Sequence, residues 1–439
     1  MRASEARGRF RSRMSPPRAA AVAAWLLAAW LLLGTAVARA AGAPVQDAPV
    51  PAATGQDDGT QAAPPQARGL RIGILTMEPG EIFFERFGHN AIVVDDPAAA
   101  GPVSYNYGYF DLDEEGFVWN FARGRMVYRL VALPLERDLR YYAEVGRGAT
   151  MQWLDLPPER AAALAARLHD QATGPESRYR YEYFTSNCST KVRDGIDFAL
   201  EGALHRQLVP RSQGDTWRSE AVRLAAPAPW MALGFHLGLA GWADQPLSRW
   251  DEAFVPMRLR DDLRRITLAD GRPLVASEEV LLPHRLGQPP DAAPRWRLPA
   301  LLLGIAIAAV VFWSARRAPR LLGLGAGLFW LFAGLCGVLM GFLWFGSDHV
   351  AGHANQNLLL LSPLALGLLP AAWAKLRGRT PGAWFRPLLW TVAGMAALAG
   401  FLKFLPFLDQ QNTDWVLLLL PVHWALLKTF DPKRETSGE

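Results

Sequence analysis

The apolar positions of this chain change rhythm twice. Between residues 70 and 156 they come in short, partly alternating runs. Leu70-Arg-Ile-Gly-Ile-Leu-Thr-Met77, His89-Asn-Ala-Ile-Val-Val-Asp95, Val103-Ser-Tyr-Asn-Tyr-Gly108, Met126-Val-Tyr-Arg-Leu-Val131 and Met151-Gln-Trp-Leu-Asp-Leu156 each predict a strand. The stretches 78–87 and 135–145 read as helical. A stronger helix is predicted over 158–171, opened by Pro158 and rich in Ala and Leu. Another is predicted over 189–200, where Val192, Ile196 and Ala199 recur at helical spacing. Strands and helices that do not alternate regularly predict an α+β domain with an antiparallel sheet.

Beyond residue 297 the rhythm gives way to long apolar runs: 298–313, 321–345, 358–373, 387–405 and 415–427. Most approach the length that crosses a bilayer core, so five membrane helices are expected. Arg316, Arg317 and Arg320 follow the first run, Lys375, Arg377 and Arg379 the third, and Lys428, Lys433 and Arg434 the fifth. The two intervening loops, 346–356 and 406–414, contain neither Lys nor Arg. The positive-inside rule therefore predicts an inner-membrane, multi-pass protein with its C-terminus in the cytoplasm and residues 41–297 in the periplasm. The N-terminus supports this orientation. Six arginines precede an apolar stretch, 19–37, and then Ala38-Arg39-Ala40, the layout of a signal peptide over 1–40. Residues 41–69 are rich in Ala, Pro, Gln, Asp and Gly, which predicts a disordered linker. A folded periplasmic domain is expected over 70–286, a Pro-rich linker over 287–297, the membrane domain over 298–430 and a cytoplasmic tail over 431–439.

The formal net charge of +5 comes mostly from the leader and the cytoplasmic loops, and gives no reason to expect nucleic-acid binding. No zinc-type Cys/His spacing, phosphate loop or dinucleotide fingerprint occurs, so no cofactor is expected. His349 and His353 have a spacing that suits a metal on a helix, but solvation or docking of the periplasmic domain onto the membrane part fits these polar loops better. The segment 229–242 is unusually apolar, which suits either core or a surface lying on the bilayer.

Cysteine usage points to chemistry. Of the two cysteines, Cys336 lies inside an apolar run, which leaves Cys188 without a disulfide partner in an oxidising compartment. Cys188 follows Thr185, Ser186 and Asn187, all turn and cap formers, at the start of a helix. There the helix dipole is expected to lower its pKa, and backbone N–H groups are placed to hold an oxyanion. A histidine opening a neighbouring strand would complete a nucleophile–base pair. His89, preceded by Gly88 and followed by an apolar strand, is the candidate. Such a pair suits an acyltransferase or a cysteine hydrolase of lipid, amide or peptide; without catalysis the chain reads as a membrane assembly protein.

Several motifs sharpen this. Gly88-His89 before an apolar strand, Tyr105-Asn-Tyr-Gly108, Phe110-Asp111, Phe117, Gly124, Tyr128, Tyr181, Tyr183, Asn187-Cys188-Ser189-Thr190 and Asp194 occur in that order. Further on come Pro246-Leu-Ser-Arg-Trp-Asp251 with Phe254 and Pro256, and the polar loop from His349 to Asn357. Together they resemble the lipoprotein N-acyltransferase Lnb family, over roughly residues 72–280 and more loosely over the membrane part. The resemblance implies a permuted papain-like (NlpC/P60-like) domain in which histidine precedes cysteine. It implies that a fatty acyl chain passes from a phospholipid donor, through a thioester on Cys188 with His89 as base, to the N-terminal amine of a diacylglyceryl-cysteine lipoprotein acceptor. A third group should orient the histidine. Asn106, on a neighbouring strand, is the first choice, with Asp111 and a backbone carbonyl open. Asn187, Tyr183 and Ser189 are the candidates for substrate binding or oxyanion support.

Overall fold

The structure, a computed structural model, describes residues 69–408 and 410–431. The expected signal peptide, most of the first linker and nearly all of the tail lie outside the described residues.

Alternating apolar positions give strands β1 (Arg71–Met77), β2 (His89–Asp95), β3 (Val103–Tyr109), β4 (Val127–Pro134) and β5 (Ala149–Leu154). To these the structure adds β6 (Arg178–Arg180) and β7 (Val275–Leu282), which the sequence pattern had not disclosed. All pair antiparallel, in the order β6-β4-β3-β2-β1-β5-β7. With the helices packed on the sheet this is the α+β domain that the pattern predicts. β7 escapes the pattern because it is an edge strand with only partial burial, and Ser277, Glu278 and Glu279 dilute its alternation. The stretch 78–87 is not helical. Pro79 and Gly80 break it, and only a 3-10 turn, Phe83–Glu85, forms.

The two faces of the sheet carry separate cores. Ile72, Ile74, Ile92, Tyr105 and Tyr107 pack against Val192 and Ile196 of the helix Cys188–Ala199 and against Leu164 and Leu168 of the helix Pro158–Thr173. Leu75, Met77, Ala91, Val93 and Met151 face Tyr142, on the helix Leu135–Glu144. A third cluster, around Phe184, Trp217, Leu224 and Phe254, ties the cysteine loop to the C-terminal helices of the domain.

Four stretches of the C-terminal region are long and apolar enough to cross a membrane: Arg297–Arg317, Pro319–Phe345, Val350–Leu376 and Ala383–Phe404. The fifth expected segment is an 18-residue helix, Thr413–Phe430, which packs along the first. Small residues let these backbones approach. Gly304 lies against the Leu417 and Leu418 carbonyls, and Gly337 against Leu361 and Pro363. The third span is broken. 3-10 turns, Gln356–Leu359 and Pro363–Leu368, precede its only α-helical stretch, Leu369–Leu376. A backbone so interrupted must find partners inside the protein. One partner is His423 Nε2, 2.8 Å from the Leu360 carbonyl oxygen.

Candidate active site

Cys188 is the first residue of its helix. Asn187 caps it: its Oδ1 accepts from the Thr190 N–H at 2.9 Å, while Thr190 Oγ1 accepts from the Asn187 N–H at 2.8 Å. The Asn187 Nδ2 donates to the carbonyls of Tyr183 and Phe254, each at 2.9 Å. The whole amide is thus engaged in shaping the turn. Ser189 is fully buried, its hydroxyl lying between Asn90 Oδ1 (2.8 Å) and the Ala253 carbonyl (2.6 Å). These bonds fasten the cysteine turn to β2 and to the end of the domain.

The pairing of β2 with β3 runs from Val94–Val103 to Ile92–Tyr105. Beyond it β3 bulges between Tyr107 and Tyr109, and Gly108 has φ +97°, a conformation suited to glycine. The Cys188 side chain lies at this irregular end. A methyl group on Gly108 would stand 3.8 Å from Cys188 Cβ. The backbone N–H of Asn90 reaches the thiol, as do those of Cys188 and Ser189. The residue that touches the sulfur through its backbone is therefore the chain neighbour of His89.

His89 opens β2, on the face shared by Ala91, Val93, Ser104 and Asn106. Its Nε2 is 3.0 Å from Asn106 Oδ1. Asn106 is buried, and its Nδ2 is held by Asp138 Oδ2 at 2.7 Å and Ser104 Oγ at 2.9 Å. With Asp138 Oδ2 as acceptor, the amide nitrogen faces Asp138 and the amide oxygen faces His89. His89 then carries its proton on Nε2. Its Nδ1 keeps a lone pair and is the basic atom.

Asp138 is the residue that sequence reasoning missed. It sits on the buried side of Leu135–Glu144, 32 positions from Asn106, and only the packing of that helix on β3 brings them together. The one signal in the sequence was an acid on the inward side of a strongly amphipathic helix. Asp111, the other choice for the third group, is exposed and accepts from the Asp113 N–H.

The expected low thiol pKa is not what the environment produces. Burial pushes Cys188 up, against the opposing pull of three N–H groups and of Arg147. His89 is lowered to about 4, first by burial, with the Asn106 bond opposing and Arg147 assisting. Burial thus favours the uncharged form of each group.

Tyr183 stacks on His349 of the loop after the second span, with ring centroids 5.8 Å apart. The polar loops hold the domain to the membrane region. Asn355 Nδ2 donates to the Leu237 and Gly238 carbonyls, Asn357 Nδ2 to Leu237, and Gln410 Nε2 to Leu239. These amides satisfy the carbonyls that the helix Pro229–Gly238 leaves free at its C-terminus. That helix buries Met231, Ala232 and His236 and leaves Trp230 and Leu233 partly exposed, so the apolar segment 229–242 serves partly as core. His349 and His353 each direct Nε2 to a backbone carbonyl, Phe121 and Ser347 respectively. Among the described residues no group of three His, Cys, Asp or Glu is placed to hold a metal ion.

The model of the Lnb N-terminal periplasmic domain matches residues 63–221, and that of the Lnb transmembrane domain matches residues 296–427. The chain belongs to the Lnb family. Its architecture is accordingly that of an inner-membrane protein whose periplasmic domain precedes a transmembrane region. Comparison with curated proteins and with solved structures gave no match. The Lnb periplasmic match contains His89, Asn106, Asp138 and Cys188, and the transmembrane match contains the amide-rich loops that hold the domain.

Proposed function

We propose that this Lnb-family protein is a thiol acyltransferase. It would move a fatty acyl chain from a phospholipid, through a thioester on Cys188, to the N-terminal amine of a diacylglyceryl-cysteine lipoprotein. In this reading residues 70–286 form a permuted papain-like catalytic domain in the periplasm. Five membrane helices over 298–430 then leave the C-terminus in the cytoplasm. The observation that supports the reading is the Asn90 N–H on the Cys188 sulfur, which brings the thiol to the residue next to His89 on β2. The imidazole there has its proton fixed on Nε2 by Asn106 and Asp138.

The chemistry follows from that placement. His89 Nδ1 takes the thiol proton as the sulfur attacks an ester carbonyl. The tetrahedral oxyanion is met by N–H groups at the start of the cysteine helix. His89 Nδ1–H then protonates the departing glyceryl oxygen, which releases a lysophospholipid and leaves acyl-Cys188. The lipoprotein α-amine attacks the thioester and gives up a proton to His89, which returns it to the thiolate. No step needs ATP, because the ester already carries the acyl group in reactive form. Asn106 and Asp138 act as positioning residues; Asn187 and Ser189 act through the turn they hold, and Tyr183 lines the approach from the membrane loop.

Mass spectrometry of lipoprotein N-terminal peptides, in cells with and without this protein, tests the reading. N-acylated peptides should depend on Cys188. Wild-type N-acylation with Cys188→Ala, in cells lacking any other such enzyme, would refute it. An acyl-enzyme that yields only free fatty acid with apolipoprotein present would make the protein a hydrolase.

A further inference from the structure

Six aromatic rings close a circuit beside Cys188. Phe110 stacks on Phe117 (5.7 Å between centroids) and on Tyr128 (5.0 Å); Tyr128 meets Tyr181 (4.3 Å) and Tyr181 meets Tyr183 (5.9 Å). Tyr183 meets Phe121 (6.3 Å), which returns to Phe117 (6.2 Å). Only Tyr128 is buried. All but Tyr183 stand outside the buried apolar clusters of the protein. The other four rings, outside every core and half-covered by one another, form a wall and not an interior.

The wall has two ends. At one end Tyr181 adjoins the nucleophile: a methyl group on Gly108 would lie 3.8 Å from both Tyr181 Cε2 and Cys188 Cβ. At the other end is the short helix Phe117–Ala122, whose Val118 and Trp119 are 75% and 59% exposed. That helix is fastened to the membrane region. The Phe121 carbonyl meets His349 Nε2 at 3.0 Å, and the Arg123 carbonyl accepts from the Asp348 N–H at 2.8 Å. Both partners lie just beyond the second span, which ends in the exposed Phe345. The rings therefore run from a helix fastened to the loop after the second span toward the sulfur, with the Arg125 and Arg180 ion pairs to Asp348 beside their membrane-side end. An exposed tryptophan at a membrane boundary suits the headgroup region.

We infer that this aromatic wall is the acyl-chain site: one chain of a membrane phospholipid leaves the periplasmic leaflet past Trp119 and lies along Phe117, Phe110, Tyr128 and Tyr181, its ester carbonyl reaching Cys188. The inference rests on the acyltransferase reading and adds the path and the residues that line it. An acyl chain is the occupant that attachment to the membrane region favours, because it passes from one apolar environment to another and exposes little surface to water on the way. Ring faces supply apolar area without fixing register, so the wall would hold chains of different length with the ester carbonyl at Cys188.

The test uses the full-length Cys188→Ala protein in nanodiscs that contain phosphatidylethanolamine with a diazirine in one acyl chain. After irradiation, peptide mapping should place label on Phe110, Phe117, Tyr128 or Tyr181. Phe110→Trp, which fills the wall, should cut that labelling by about tenfold, the scale of one misfitting apolar contact. Label confined to the membrane helices, or labelling that Phe110→Trp leaves unchanged, would overturn the proposal. So would a diazirine-bearing lipopeptide that labels these rings while the phospholipid does not, since the wall would then belong to the acceptor. Cys188 is absent from this experiment, so its outcome is independent of acyl transfer. Ring labelling together with a wild-type enzyme that never forms acyl-Cys188 would keep the lipid site and refute the transferase.

Discussion

Asn106 Nδ2 donates to Asp138 Oδ2 over 2.7 Å, and this one buried bond decides which nitrogen of His89 is basic. The amide cannot turn over without setting its oxygen against a carboxylate, so its own oxygen stays on the imidazole. Asp138 thus acts on the reaction through two intervening groups and needs no contact with substrate.

Asp138→Ala should therefore slow acylation of Cys188 while the domain stays folded. The loss of a buried partner costs about 1–3 kcal/mol, or roughly five- to 150-fold if expressed in rate. Asp138→Asn should also impair it, because an amide at 138 can accept or donate and no longer forces the orientation of Asn106. Single-turnover acylation, followed by intact mass, reads both variants. A fall in rate with unchanged Tm supports positioning; a matching fall in Tm without a change in rate would mean a structural role alone.

Incubation with phospholipid should give an acyl adduct on Cys188 that neutral hydroxylamine removes, as expected of a thioester. His89→Ala should slow its formation by about two orders of magnitude or more, the usual range for a lost general base. Peptide mapping after brief exposure to lipid checks both statements.

The pH profile should separate a neutral pair from an ion pair. His89 is lowered to about 4, so the base form persists down to mildly acidic pH, and acylation should stay level from pH 7 to about 5 and fall as pH approaches 4. A thiolate–imidazolium pair at rest would require a protonated histidine at neutral pH and would show a different profile. Stability should follow the same groups. His89 and His236, both lowered to about 4 by burial, take up protons in the unfolded chain from about 6.5 downward but resist doing so when folded. Their contribution is present above about 6.5 and is lost as pH falls toward 4, which a series of Tm measurements will register.

Asn355→Ala and Gln410→Ala should loosen the periplasmic domain from the membrane region. Asn355→Ala removes the side-chain donor to the Gly238 carbonyl and Gln410→Ala the acceptor of the Gln356 N–H, each at about 1–3 kcal/mol for a group left unpaired, while the Leu237 and Leu239 carbonyls keep Asn357 and Arg218. Limited proteolysis in detergent should cut the segment between Leu282 and Arg297 sooner in these variants, and acylation from bilayer lipid should fall with it. Unchanged proteolysis would show that the amides are dispensable for docking.

Reporter fusions at Arg317, Lys375 and the C-terminus should report cytoplasm, and a fusion at Gly352 should report periplasm. The charge asymmetry of the loops motivates this order. Because Thr413–Phe430 carries Asp414, His423 and Lys428, the C-terminal fusion is the decisive one. A periplasmic C-terminus would remove one crossing.

Local order determined much of this protein. Alternation was enough to find β1 to β5, since each of these strands has a dry face, and helical spacing was enough to find Cys188–Ala199. The long apolar runs identified the membrane part, because lipid demands length and low polarity from every spanning segment. Even the pairing of Asn106 with His89 was within reach, as adjacent strands present side chains at fixed intervals. Three features were decided only by tertiary structure. Asp138 joins the histidine through the packing of a helix on β3, a contact that leaves no periodic trace. The charge state of the thiol depended on a contest between helix-start N–H groups and burial, and burial is a property of the folded whole. The aromatic circuit draws on residues from 110 to 183 whose spacing follows no single period, because its rings come from a loop, a short helix, a strand and the cysteine turn and meet only when the sheet closes them together.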